Sequence, residues 1–311
     1  MASRHKILAT NGGGTLGLYE LMILAELENE YCIPQGKTLR DFFDLIVGSS
    51  IGSLTATAIA HGIPLSTMIE PLKAVSSHIF PKDSNAVSKT IRLIKTASGE
   101  AYDYKRMKDV CKFFFNDDKM KDIPVNLYII AYCLEKNRPV DFHNMRDSDK
   151  ELSLVDVVMA GSSIPSGFPP YKIGELRYCD GFPYADDSAL YAQMKAIDEG
   201  KYPYTIFTVG NLVQVPKEGI ATSLLNGDHI NAMVQMTTQC AFLRSRKTLQ
   251  KLCSLTDGEL IYSECLEFPT TTTVMYNNSD PSYLAEITKC AETSFANLLK
   301  NKKEALVKLF K

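Results

Sequence analysis

The sequence predicts an α/β protein built on a mainly parallel sheet, and three observations carry that prediction. Two short apolar runs, Lys6–Thr10 and Phe43–Val47, have the length and composition of buried strands. Each gives way to a glycine-containing turn, and each turn opens an apolar stretch with helical spacing. The two units follow one another at the start of the chain. Strands joined in this way through helices lie parallel.

The first strand ends in Asn11-Gly12-Gly13-Gly14-Thr15-Leu16-Gly17. Leu18, Leu21, Met22, Ala25 and Leu27 then give a helical apolar face to about Glu30. The second strand runs into Gly48-Ser49-Ser50-Ile51-Gly52 and a helix through Ala60. From Ile63 to Asp122 the pattern is mostly helical and polar, with a loop around Pro81-Lys82-Asp83-Ser84-Asn85. A cap over one end of the sheet and a plain helical layer both fit this region. Val125–Leu134 is a long strand, and Pro139–His143 is another. Leu154–Met159 reads as a helix ending near Gly161, and Leu176–Cys179 as a short strand before Asp180. Tyr204–Val209 is the last strand that the pattern assigns to the parallel set. Beyond Gly219 the pattern is mainly helical, with one extended run near Leu260–Phe268 and a final helix over Pro281–Phe310. With no internal repeat or linker, a single domain over residues 1–311 is expected, its motif-bearing core at about 5–210 and a mainly helical part at about 211–311.

Of the 311 residues, 45% are hydrophobic and 23% charged, the balance of an ordinary globular chain. The net charge of -2 argues against a nucleic-acid partner, which calls for a strongly basic face. The eight cysteines form no C-x-x-C pair and several lie in apolar runs, so buried free thiols in a reducing compartment are expected rather than a metal site. The N-terminus has no apolar stretch of signal-peptide length. No run of about 18 apolar residues is present. The expectation is a cytoplasmic protein, free to touch a membrane surface from outside.

Gly48-x-Ser50-x-Gly52 between a strand and a helix has the pattern of a nucleophile elbow. The apex serine of so tight a turn takes a strained backbone, and side chains two positions either side would collide. A nucleophilic serine needs a base, oxyanion donors and an acyl pocket. Consecutive glycines such as Gly12, Gly13 and Gly14 can turn backbone N–H groups toward one point. Gly12-x-Gly14-x-x-Gly17 also fits a dinucleotide fingerprint. That reading wants an acid at the end of a second strand, whereas Glu30 and Asp41 only bracket the region and the second strand ends in the elbow.

The base has two readings. Ser50, Asp180 and His229 stand in the chain order of α/β-hydrolase triads, but Ser50 comes after only two strands, and His229 lies in a polar turn before a helix. The alternative is a carboxylate base, for which Asp180 at a strand end before Gly181 is the strongest candidate.

Four blocks in order resemble the patatin-like phospholipase family. They are the Asn11–Gly17 loop, the Phe43–Leu54 elbow block, the small-residue and proline segment Ala160–Pro170, and Asp180-Gly181-Phe182-Pro183-Tyr184-Ala185-Asp186-Asp187. The resemblance covers about residues 5–210. It implies a three-layer α/β/α fold and ester hydrolysis in phospholipids or related lipids through an acyl-enzyme. It further implies Ser50 as nucleophile, Asp180 as base, and Gly12, Gly13 and Gly14 as backbone oxyanion donors, with no metal or cofactor. Two positions depart from the family pattern: Leu16 stands where a basic residue is usual, and Phe182 where a glycine or alanine is. They motivate an alternative, a catalytically weak lipid-binding or regulatory protein; acyl transfer to another alcohol is a third reading. Ile51, Leu54, Ile164, Phe168 and Phe182 are candidates for the acyl slot. The terminal helix carries Lys300, Lys302, Lys303, Lys308 and Lys311 among apolar residues, a pattern that fits either membrane contact or packing on the domain. Arg244-Ser245-Arg246-Lys247 reads as a solvated basic face with no assigned role.

Overall fold

The computed structural model describes residues 4–80, 102, 105–165, 167–210, 229–263 and 278–311, with the backbone alone at 229–239 and 242. Its strands are β1 His5–Thr10, β2 Leu45–Ser49, β3 Asn126–Cys133, β4 Arg138–His143, β5 Tyr171–Ile173, β6 Leu176–Asp180, β7 Tyr204–Val209 and β8 Gly258–Ser263. The helices are α1 Gly17–Leu27, α2 Ile51–His61, α3 Ser66–Ile79, α4 Lys105–Phe115, α5 Leu154–Ser162, α6 Ser188–Asp198, α7 His229–Leu255 and α8 Pro281–Leu309.

One sheet organises these elements, in the order β5-β6-β3-β2-β1-β7-β8, with β4 paired to β3. β3, β2, β1, β7 and β8 are parallel neighbours. β4 and β6 run antiparallel to β3, and β5 antiparallel to β6. The period-2 alternation of strand side chains creates the layers. Ile7, Ala9, Leu45, Val47, Tyr128 and Ile130 face a small core closed by Ala189, Ala192 and Ala196 of α6 and Leu249 and Cys253 of α7. Leu8, Ile46, Leu127, Ile129 and Ala131 face the larger core, shared with α1, α2, α5 and α8. The expected three-layer α/β/α arrangement, mainly parallel, is what results.

Three expectations need correction. The extended run expected from near Leu260 starts earlier, as β8 at Gly258, and joins the parallel set beside β7. The second strand starts at Leu45 rather than Phe43. Leu39–Phe42 instead form a 3-10 turn boxed by Thr38 and Asp41, and the Asp44 side chain accepts the Lys6 N–H at 2.8 Å. The cysteines are not uniformly buried: Cys240 is exposed, while Cys32, Cys111, Cys133, Cys179, Cys253 and Cys290 are buried free thiols. The loop expected around Pro81–Asn85 lies outside the described residues.

The two readings of the terminal helix are resolved by packing. Leu298, Leu306, Leu309 and Phe310 are buried. Phe310 stacks on Tyr31 at 5.1 Å and meets the edges of Phe42 and Phe43. The Tyr19 hydroxyl bonds the Ser294 hydroxyl at 2.7 Å, tying α8 to α1. The apolar face is covered by the domain, Lys300, Lys303, Lys308 and Lys311 are exposed, and Lys302 is half-buried. Among the described residues, no helix is long and apolar enough to cross a membrane.

Candidate active site

β3 is the element that builds the site. Its residues 128–133 pair with β4 along one edge. Along the other edge, Asn126–Ile130 pair with β2, and Ala131–Cys133 pair with β6. Ser49 therefore stands opposite Ile130, and Asp180 opposite the next residue, Ala131. β2 and β6 approach from opposite directions and meet end to end, and the meeting point lies between Ser50 and Asp180. Because β6 is antiparallel, its C-terminal carboxylate points at the C-terminal end of the parallel strands, where α/β proteins place their chemistry.

Ser50 caps α2 with φ 54° and ψ -135°, a strained conformation for a residue with a side chain. The strain is held from both sides. A Cβ on Gly52 would sit 2.5 Å from the Asn11 carbonyl oxygen, and one on Gly48 would sit 2.6 Å from the Gly52 carbonyl oxygen. Both elbow glycines are thus required by close backbone approach. The end of α5 braces both dyad candidates: the Ser50 N–H donates to the Gly161 carbonyl, and the Asp180 N–H to the Ser163 carbonyl, each at 3.0 Å.

Gly12 lies against the serine, since a Cβ there would come within 2.5 Å of Ser50 Cβ and 3.1 Å of its Oγ. Gly13 and Gly14 follow at φ 142° and 57°, turning the loop away from β1 toward α1. The loop is anchored by Asn11, whose N–H donates to both carboxyl oxygens of Glu20, at 3.1 and 2.9 Å. The Asn11 side chain donates to Thr208 and to the Val209 carbonyl, and accepts the Ser188 N–H at 3.0 Å. Burial holds the Glu20 carboxyl well above the usual carboxylate range.

Asp180 is 0% exposed. Its Oδ1 accepts the Phe182 N–H at 2.8 Å, while Oδ2 has no direct hydrogen-bond partner. Burial pushes its pKa up to about 7, and the nearby Ser50 hydroxyl and the Phe182 N–H pull it back only in part. The carboxyl is poised to exchange a proton near neutrality with a group placed at Oδ2. Catalytic hydrogen bonds in unliganded sites are often long and tighten on substrate binding.

None of the four histidines whose side chains are described lies here. His5 starts β1, at the far end of the sheet, beside Asp44. His61 Nε2 meets Asp118 at 2.8 Å, and His143 stacks on Tyr128 at 4.0 Å. His78 Nδ1 lies 3.2 Å from the Ala74 carbonyl. His229 opens α7, where the backbone alone is described.

Of the candidate slot residues, Leu54 is fully buried and Phe168 is 7% exposed, while Ile51, Ile164 and Phe182 are half-buried. Leu16 is half-buried beside Gly13. Sequence reasoning gave no role to Glu20 or Ser188, and Gly161 and Asp187 stood there only as members of the resembling blocks. An acid placed between Tyr19 and Leu21 on an apolar helix was the one available signal for Glu20.

The model of the patatin-like phospholipase family matches residues 8–183. A cGAMP-activated phospholipase of Vibrio cholerae is 29% identical over 193 residues, covering 58% of this chain and 54% of that protein. A cGAMP-activated phospholipase of Escherichia coli is 25% identical over 213 residues, covering 65% and 59%. Patatin-like protein 2 of Arabidopsis thaliana is 28% identical over 185 residues, covering 55% and 46%. The chain thus spans about half the length of these relatives. The family match takes in the glycine loop, the elbow and Asp180 together and extends over more than half of the chain, so this protein belongs to the patatin-like phospholipase family.

Proposed function

We propose that this protein is a lipid acyl hydrolase of the phospholipase A type, with Ser50 as nucleophile and Asp180 as its base. The observation that carries the reading is the end-to-end meeting of β2 and β6, which sets a strained serine beside a buried carboxyl with a pKa of about 7. Asp180 Oδ2 takes the Ser50 proton as Oγ attacks the ester carbonyl carbon. Backbone N–H groups of the Gly12–Gly14 loop hold the oxyanion, each donor contributing about 3 kcal/mol. Collapse breaks the ester bond. The proton on Asp180 passes to the departing lysolipid alkoxide, leaving the acyl group on Ser50. Water then attacks, giving its proton to Asp180. The second collapse returns that proton to Ser50 and releases a fatty acid.

The substrate is a phospholipid or related lipid, reached by transient contact with a membrane surface. If another alcohol replaces water at the second step, the same acyl-enzyme gives acyl transfer. The test is hydrolysis of phosphatidylcholine and phosphatidylglycerol vesicles by wild type, Ser50→Ala and Asp180→Asn, reading fatty acid, lysolipid and any transacylated product by mass spectrometry. The assay is run with and without cGAMP, since two relatives carry activation by that molecule in their names. Fatty-acid release that survives in Ser50→Ala would overturn the reading. A wild type that binds vesicles, releases nothing and resists a fluorophosphonate probe would favour the lipid-binding alternative motivated by Leu16 and Phe182.

A further inference from the structure

The basic cluster Arg244-Ser245-Arg246-Lys247 does not lie wholly in solvent. Arg246 is only 8% exposed. Its Nη2 lies 3.2 Å from Asp187 Oδ2, and its guanidinium sits 5.1 Å over the Tyr262 ring. The adjacent Ser245 hydroxyl donates to both carboxyl oxygens of Asp186, at 2.9 and 3.0 Å. Two consecutive residues of α7 therefore grip two consecutive residues at the end of the turn that Asp180 opens.

That grip holds more than a turn. Asp187 is 1% exposed and caps α6, its Oδ1 accepting the Ala189 N–H at 3.1 Å. The next residue, Ser188, donates its N–H to Asn11 Oδ1 at 3.0 Å and meets the Ser49 hydroxyl at 2.9 Å. Asn11 precedes the glycine loop, Ser49 precedes Ser50, and Asp187 closes the segment from Asp180. Three separate pieces of the site converge on one helix N-terminus. Burial pushes the Asp187 carboxyl up, and the Arg246 charge opposes that more than any other group. A buried carboxylate without its cation is strongly disfavoured, so this helix N-terminus depends on Arg246.

We propose that Arg246 is a positioning residue for the dyad: through Asp187 it locks the N-terminus of α6, and with it the relative placement of the glycine loop, the elbow and Asp180. The inference rests on the hydrolase reading above. Asp187 and Arg246 both lie outside the family match at residues 8–183, so a determinant of rate sits in the part of the chain beyond that match.

The experiment compares wild type, Arg246→Met, Arg246→Lys and the pair Asp187→Asn with Arg246→Met. It reads kcat and KM on vesicles, the rate of fluorophosphonate labelling of Ser50, and amide hydrogen exchange. Arg246→Met is expected to lower kcat and the labelling rate at least tenfold with KM within threefold, and Arg246→Lys to recover most of that loss. The paired variant removes the uncompensated charge and is expected to keep the fold. It is expected to stay slow, because the grip on α6 is still missing. A folded paired variant with the wild-type labelling rate overturns the proposal. If wild type neither hydrolyses nor labels, the dyad reading falls and hydrogen exchange decides the positioning role. Faster exchange in residues 11–17, 49–53 and 180–189 of Arg246→Met, with β7 unchanged, supports it; unchanged exchange in those segments overturns it.

Discussion

Asp180 and Asp141 pair with adjacent residues of the same strand, Ala131 and Ile130, yet their carboxyls behave oppositely. Asp180 is fully buried, and the Asp141 side chain is 8% exposed. Burial pushes the Asp141 carboxyl up too, but Lys195, Tyr191 and Arg146 all bond it, and its pKa ends at about 2. Lys195 Nζ lies 2.8 Å from Asp141, and Arg146 closes on it from the other side. Asp180 has one backbone N–H and a neighbouring serine, and its pKa ends at about 7. Burial raises both carboxyls; the cations beside Asp141 are what set the two apart. Asp141 is a structural pin, and Asp180 is left proton-hungry because its partners are few.

The largest effect should fall on activity. Ser50→Ala and Asp180→Asn are each expected to lower vesicle hydrolysis by roughly a thousandfold or more, the scale of removing a member of a serine catalytic group. Asp141→Asn, measured in the same assay, should stay within about threefold of wild type. A deeper loss in Asp141→Asn would erase the contrast between the two acids.

Stability should show the reverse order. The Asp180 pKa is raised from 3.8 to about 7, so the neutral carboxyl's contribution is complete below 3.8 and gone once pH rises past about 7. Asp180→Asn should therefore melt higher than wild type at pH 8, by the equivalent of about 2–4 kcal/mol, with the gain fading toward pH 4. Asp141 is the opposite case, lowered from 3.8 to about 2, so its contribution is present above 3.8 and lost as pH falls through about 2. Asp141→Asn should lose about 2 kcal/mol at pH 7 in urea titrations, a deficit that closes toward pH 2.

The pH profile sharpens the same point. Wild-type kcat/KM should fall about tenfold per unit below pH 7, as protonation removes the base. A limb placed near pH 4 instead would mean that Asp180 is not the titrating base.

How legible was this in the sequence? The elbow was, because Gly48 answers a close approach inside its own turn and local constraints leave local signatures, although Gly52 answers one from Asn11 beyond the end of β1. Asp180 was visible through its strand end and glycine, and the family resemblance raised it above other turn acids. The antiparallel entry of β6 was not visible, since Leu176–Cys179 reads the same in either direction. The parallel pairing of β8 at the sheet edge was equally hidden, because strand direction is decided by non-local pairing. Arg246 was read as a solvated charge because its neighbours Arg244 and Lys247 suggested an exposed face. Its partner Asp187 lies far away in sequence, and no spacing rule connects them.

β3 works as a ruler for the proposed dyad. Every residue between Ser50 and Asp180 is free to vary in number wherever it loops outside the sheet, because the spacing that matters is measured along β3, from Ile130 to Ala131. A slip of β6 by one residue against that ruler would turn the carboxyl to the opposite face. A slip by two would keep the face and carry it about 7 Å away. Length changes in loops that lie away from the glycine loop and the turn after Asp180 should therefore be forgiven, while one inserted residue inside β3 would separate acid from serine with every contributing side chain still present.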